Sequence, residues 1–238
     1  MSAALNDVLE RIETGVAAQR QFAADASHEL RTPLAVMSTQ LEVARRKPRE
    51  APHWERVADE VLAELKRTNQ LVEKLIQLAR SGDAGLHHAP TDLRALAAAA
   101  VDRASALATS RGVAVELAPG GKVDGELDAE AIAIVLDNLL RNAIDHSPKG
   151  ERIVVRVEAG PKLLVEDRGP GVPADQRERI FQPFARGTQR QADRAVGTGV
   201  GLGLAISKRI VAGHHGSISV EDRDGGGARF VVTLPAVR

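Results

Sequence analysis

Four short stretches of the chain carry residue types that could do chemistry. The first is Ser27-His28-Glu29-Leu30-Arg31-Thr32-Pro33-Leu34, where a histidine stands beside a carboxylate. A carboxylate that takes the ring proton makes the other imidazole nitrogen nucleophilic. Thr32 follows four residues later, so on a helix it shares the face of His28 one turn on. The second is Asp137-Asn138-Leu139-Leu140-Arg141-Asn142-Ala143, which puts two asparagines four apart. Asparagine is a poor interior helix former, and two amide oxygens on one face suit a hard cation such as magnesium. The third, Val165-Glu166-Asp167-Arg168-Gly169-Pro170-Gly171, ends a strand on an acid and turns on two glycines. Such an acid can accept from an exocyclic amine, while the glycines let backbone approach a flat base. The fourth is Gly197-Thr198-Gly199-Val200-Gly201-Leu202-Gly203-Leu204 at the start of a helix, where free N–H groups favour phosphate. Taken singly, each has a plainer reading: a surface histidine, a polar patch, an Asp-Gly turn, a glycine-rich loop. The fourth fits neither the P-loop nor the Rossmann pattern, because no strand leads into it and no Lys-Ser/Thr follows.

These stretches need elements to hold them. From Leu5 to Lys47 apolar residues recur at helical spacing, including Val16, Phe22, Ala26, Leu30, Leu34, Met37 and Leu41. Pro33 lies inside that pattern and is expected to bend the helix beyond His28. Pro48 and Pro52 mark a turn, and a second helix carries Val57, Val61, Leu65, Leu71, Val72, Leu75 and Leu78 up to a linker at 81–85. Two such helices bury little alone, so the pair is expected to dimerise into a four-helix bundle. Beyond the linker the rhythm alternates. Thr91-Asp92 predicts a helix cap, 113–117 a strand, 128–146 an amphipathic helix, and 153–158 with 162–166 a hairpin around Gly160-Pro161. A helix over 202–214 and a last hairpin over 217–221 and 229–234 complete an α+β sandwich with a mixed sheet on one side.

The composition excludes several classes. The 238 residues carry 32 basic and 32 acidic side chains, so no net field points to nucleic acid or an anionic membrane. Aromatic residues are 2%, which leaves no stacking platform for single strands and requires an aliphatic core. There is no cysteine, so disulfides, thiolate metal sites and thiol catalysis are out, in keeping with a reducing cytoplasm. No apolar run approaches the length of a membrane span, and a soluble, cytoplasmic chain is expected.

Together and in this order, the four stretches resemble the sensor histidine kinases of two-component systems. Ser27 to Leu34 looks like the H box, Asn138 to Asn142 the N box, and Asp167-x-Gly169-x-Gly171 the G1 box. Phe181-Gln182-Pro183-Phe184 looks like the F box, and Gly199 to Leu204 the G2 box. The resemblance implies a multi-domain chain. Residues 1–18 would end a signalling helix, 19–84 would be a HisKA-type dimerisation and histidine phosphotransfer domain, and 85–238 a Bergerat-type (GHKL) catalytic domain. It implies ATP with magnesium, a homodimer, and a response regulator receiver domain as partner. His28 would be the phosphoacceptor and Glu29 its base. Thr32 would serve removal of phosphate from the partner. Asn142 would hold magnesium with Asn138 supporting, and Asp167 would bind the adenine amine, with Gly169 and Gly171 shaping its turn. Gly199, Gly201, Leu202 and Gly203 would line the phosphates. Arg186 would approach the γ-phosphate, and 187–198 would form a mobile lid. The segment 4–15 resembles the end of a helix that follows a HAMP linker, which implies either a soluble fragment of a longer protein of the bacterial inner membrane or a naturally soluble kinase.

Some positions depart from the pattern. Val200 stands where Ser, Thr or His is common, and Asp145-His146 where many relatives have a basic residue and Tyr. His214-His215-Gly216 replaces a His-Gly-Gly turn, and both histidines read as structural. His53, His87 and His88 have no assigned role. Two other readings compete. A gyrase- or chaperone-like ATPase shares the Asn, Asp and glycine boxes but has no place for the His28 helix pair. A non-enzymatic scaffold with a degenerate site is disfavoured by the intact Asn142, Asp167 and glycines.

Overall fold

The computed structural model describes residues 2–46, 50–80, 86–185 and 201–236. The chain divides into two compact units, Met1–Ile76 and Gln77–Arg238. No helix among the described residues is long and apolar enough to cross a membrane.

The first unit is a pair of long helices, α1 (Ser2–Arg45) and α2 (Ala51–Arg80), of which the last residues pass into the second unit. Helix α1 continues through Pro33, which is buried. Proline brings no N–H for the carbonyl four residues back. One residue earlier, the Thr32 hydroxyl donates to the His28 carbonyl at 3.2 Å. Gln40 Nε2 donates to Glu60 Oε2 at 3.3 Å and ties the helices together. Met37, Ala44, Val57, Leu71 and Leu78 are buried. The apolar stripe read from the sequence is wider than that. Leu34, Val36, Leu41, Val43, Leu62, Leu65, Val72 and Ile76 are between 38% and 54% exposed.

The second unit is a two-layer α/β structure. Its sheet runs β2-β4-β5-β7-β6, formed by β2 (Ala114–Leu117), β4 (Arg152–Glu158), β5 (Lys162–Glu166), β6 (Ser217–Asp222) and β7 (Ala228–Thr233). Only β2 and β4 pair in parallel; the other neighbours are antiparallel, so the sheet is mixed as expected. Helices α3 (Leu93–Arg111), α4 (Ala129–His146) and α5 (Gly203–Gly213) pack on it. Alternation along the strands turns Ile153, Val155, Leu163, Val165, Phe230 and Val232 into the core, where Ile132, Leu136, Leu139 and Ile206 meet them. The core is almost wholly aliphatic, with the Phe181–Phe230 edge contact at 6.5 Å as its aromatic pair. A small second sheet, β1 (Ala89–Asp92) with β3 (Asp124–Leu127), is absent from the sequence expectation. Pro90 and Gly125 lie in these strands, and neither is a residue that announces one.

Helices α3 and α4 begin alike. Asp92 accepts from the Arg94 N–H at 2.9 Å and Asp128 from the Ala131 N–H at 3.0 Å, each satisfying a first-turn donor. Asp128 has a second task. Its other oxygen accepts the His87 N–H at 2.9 Å, and its own N–H donates to Nε2 of the buried His214 at 3.0 Å. An accepting Nε2 leaves the ring proton on Nδ1, which donates to the Ile210 carbonyl at 2.8 Å. His214 therefore locks the end of α5 to the start of α4 as a neutral imidazole. The His88 ring leans on it at 4.9 Å between centroids.

Burial pushes the His214 imidazole below its ordinary value of 6.5, with the Ile210 carbonyl opposing and the neighbouring His88 reinforcing. A base whose folded value is depressed takes its proton first in the unfolded chain. Its share of stability is present above 6.5 and is lost as pH falls from there through the lower folded value. We expect unfolding free energy, measured by urea titration, to decline between about pH 7 and pH 5. We expect His214→Gln to flatten that decline while lowering stability at neutral pH; an unchanged slope would remove His214 as its source.

Candidate functional site

Asp167 follows directly on β5 and is 2% exposed. Its Oδ1 accepts two backbone donors, the Gly169 N–H at 2.8 Å and the Ala228 N–H at 3.1 Å. Its own N–H donates to the Ala228 carbonyl at 2.9 Å, so the acid is fastened to β7 by main chain on both sides. No donor to Oδ2 is found among the described residues. Burial pushes the Asp167 carboxyl above its usual range, although the Gly169 and Ala228 amides and the charges of His146 and Arg223 pull it back in part. A donor reaching Oδ2 would favour the ionised form further.

The turn after Asp167 is glycine because of what surrounds it. A Cβ at Gly169 would stand 2.8 Å from the His146 carbonyl at the end of α4, and 3.1 Å from Asp167 Oδ1. Gly171 has φ +73, and a Cβ there would meet the Gly227 carbonyl at 3.2 Å. A Cβ at Gly227 would run into the Asp167 carbonyl, so the three-glycine turn between β6 and β7 must be bare where it passes the acid.

The residue before Asp167 points to the other face of the sheet. Glu166 is buried there, held by Arg229 at 2.7 Å, Arg156 at 3.4 Å and Arg223 at 3.7 Å. Burial would raise its carboxyl, but Arg229 first and Arg156 next bring it below the ordinary carboxylate value. No sequence pattern announces this cage, because its arginines come from β4, β7 and the turn before β7.

Asn138 and Asn142 lie four apart on α4, both half-buried. The Asn142 amide makes no hydrogen bond among the described residues. Asn138 Nδ2 approaches Ser207 Oγ at 3.5 Å. A Cβ at Gly203 would stand 3.1 Å from Asn138 Oδ1. Gly201 has φ +75, and a Cβ there would meet the Ala185 carbonyl at 2.7 Å, so the start of α5 lies against the end of the F-box stretch. Leu202 is fully buried between these glycines. Phe181 is buried beneath, with Lys208 Nζ at 5.9 Å from its ring. The carboxylate of Asp145 is paired with Arg111 at 3.7 Å, which offsets the charge that departs from the expected basic residue.

Asn138, Asn142, Asp167, Gly169, Gly171, Gly201, Leu202 and Gly203 thus belong to one unit, on the second half of α4, in the turn just past β5 and at the start of α5. Arg186, Gly199, Val200 and the lid stretch 187–198 lie outside the described residues. His28, Glu29 and Thr32 belong to the other unit, on α1; His28 and Thr32 are exposed and Glu29 is half-buried. The donor set fits a magnesium nucleotide: an amide oxygen without a partner among the described residues, a buried carboxylate with one oxygen open to a donor, and glycines where a Cβ would meet backbone or Asn138.

Comparison with known proteins agrees with this geometry. Residues 18–84 match the His Kinase A (phospho-acceptor) domain, and residues 127–238 match the family described as Histidine kinase-, DNA gyrase B-, and HSP90-like ATPase. The sensor protein CutS of Streptomyces coelicolor is 38% identical over 97% of this chain and 56% of its own length. The probable sensor histidine kinase TcrY of Mycobacterium tuberculosis is 37% identical over 99% of this chain and 51% of its own. The chain therefore spans about half the length of these curated relatives. The solved structure of the histidine kinase AdeS of Acinetobacter baumannii shares the fold, with TM-score 0.67 at 23% identity over 89% of this chain and 98% of that one. With a phospho-acceptor helix pair followed by an ATP-binding domain, the chain belongs to the sensor histidine kinases of two-component systems.

Proposed function

We propose that this chain is the catalytic core that binds magnesium ATP, phosphorylates His28, and passes the phosphoryl group to an aspartate of a response regulator receiver domain. The observation that carries it is the buried Asp167, fixed through Oδ1 by two backbone donors with Oδ2 left for the amine of adenine. Asn142 would hold magnesium through its amide oxygen, and the ion, when bound, would supply positive charge beside the phosphates. Gly199, Gly201, Leu202 and Gly203 line the phosphates. Arg186 stabilises charge on the transferring group, the role cations play in such sites. The imidazole of His28 attacks the γ-phosphorus, ADP leaves, and Glu29 accepts the ring proton. The phosphoryl group then moves from nitrogen to the carboxylate of the partner. The same proposal assigns 1–18 to the end of a signalling helix, 19–84 to dimerisation and phosphotransfer, and 85–238 to catalysis. These events belong to the cytoplasmic side of the bacterial inner membrane.

The active form is a homodimer. Among the described residues, nine large aliphatic side chains on α1 and α2 are more than a third exposed. Burying one contributes roughly 1.5–3 kcal/mol, which favours closing two hairpins into a four-helix bundle.

Incubation with γ-labelled ATP and magnesium tests the reaction. The label should sit on protein in an acid-labile, alkali-stable bond. His28→Gln should reduce it to background and leave ATP affinity unchanged by calorimetry. Label retained on that variant would place the acceptor elsewhere.

The same domain also removes phosphate from the regulator, with Thr32 orienting the water. Its proton is engaged with the His28 carbonyl, and its lone pairs remain to accept. Thr32→Ala should keep autophosphorylation within about threefold of wild type, since orientation and not proton abstraction is lost, and slow regulator dephosphorylation by tenfold or more, on the order expected for a misplaced reactant. Equal loss in both assays would assign Thr32 to the helix alone.

A further inference from the structure

Among the described residues, Glu166, Asp167, His214 and Ser207 are the buried polar side chains. The first three have their partners described above. Ser207, fully buried on α5, has no part in the proposed reaction. It lies four residues after Gly203, and its Oγ donates back to the Gly203 carbonyl at 2.9 Å. A hydroxyl has one proton and two lone pairs. With its proton committed to Gly203, Ser207 can only accept from its second partner, the Asn138 amide at 3.5 Å. A carboxamide can present either its NH2 or its oxygen to a neighbour, and the two orientations have nearly the same shape. The committed hydroxyl selects NH2. Oδ1 is then turned to the other side of the amide, against Gly203, where a Cβ would be 3.1 Å away.

We infer that Ser207 is a positioning residue of the nucleotide site: its hydroxyl fixes the sense of the Asn138 amide and so sets Asn138 Oδ1 as an acceptor beside the start of α5. The inference rests on the reading that Asn138 and the glycine-rich loop hold magnesium ATP. The relay Asn138 Nδ2–H to Ser207 Oγ–H to the Gly203 carbonyl joins α4 to the first residue of α5 through one oriented chain of bonds. An apolar residue at 207 would leave the amide free to turn over. Gly203 is part of the same arrangement, because any side chain there would crowd Asn138 Oδ1.

A double-mutant cycle tests this, with the full chain titrated calorimetrically with AMPPNP and magnesium. Ser207→Ala should weaken binding roughly three- to tenfold, the range for loss of one oriented hydrogen bond. Ser207→Thr, which keeps the hydroxyl, should bind as wild type does. In an Asn138→Ala background, Ser207→Ala should have no further effect, because its influence passes through that amide. Equal losses in both backgrounds would overturn the inference, as would wild-type affinity in Ser207→Ala. An alanine chain that did not fold would be replaced by Ser207→Cys, close in volume and a poor acceptor, with the same expectation. A wild-type chain that does not bind the magnesium nucleotide would sink the underlying reading instead.

Discussion

The ATP-binding unit is organised around the burial of one carboxylate. Taking Asp167 out of water is unfavourable unless donors replace the lost hydration. The two backbone N–H groups on Oδ1 do so, and they determine much of what lies nearby. The chain must turn within two residues to bring the Gly169 amide back to Oδ1. The turn must be bare because the His146 carbonyl stands behind it. Strand β7 must begin at Ala228 to supply the second donor, and the turn before it must be glycine to fit behind the acid. On the opposite face, the Glu166 cage clamps β4, β5 and β7 together where Asp167 leaves the sheet. Removing one member of such a buried ionic group costs more than the group contributes, which makes Glu166 a sensitive position without making it a source of net stability.

Two buried side chains then hold the helices that carry the rest of the site. His214 joins the end of α5 to the start of α4, and Ser207 joins the start of α5 to the middle of α4. Each uses one donor and one acceptor with fixed sense, so α5 is tied at both ends. The asparagine face of α4 and the glycine start of α5 are therefore one rigid arrangement, set by hydrogen-bond polarity as much as by aliphatic packing. Preorganisation of this kind lets a site stabilise charge without reorganising when charge develops.

Much of this was legible in the sequence. Asp92 and Asp128 announce their helices by side-chain type and position, and both cap them. The hairpin over β4 and β5 follows from β-branched runs around Gly160-Pro161. The box residues were legible because their types are poor choices for ordinary helices and turns, and because they come in a recognisable order. What remained hidden depends on distant partners. Strands β1 and β3 pair across a long sequence separation with little β-propensity of their own. Periodicity could not divide the hairpin's apolar stripe, since Met37 and Leu41 are one turn apart yet only Met37 is buried. Ser207 looks like an ordinary helix residue until α4 is placed beside it.

We propose that the open oxygen of Asp167 reads the exocyclic amine of adenine. Comparing ATP with ITP by magnesium-dependent calorimetric titration tests it most directly, because ITP replaces that amine with a carbonyl. ATP should bind more tightly by roughly a hundredfold or more, since a buried carboxylate would otherwise face an oxygen. Asp167→Asn should remove most of the difference. Equal affinities for the two nucleotides in the wild-type chain would contradict the account.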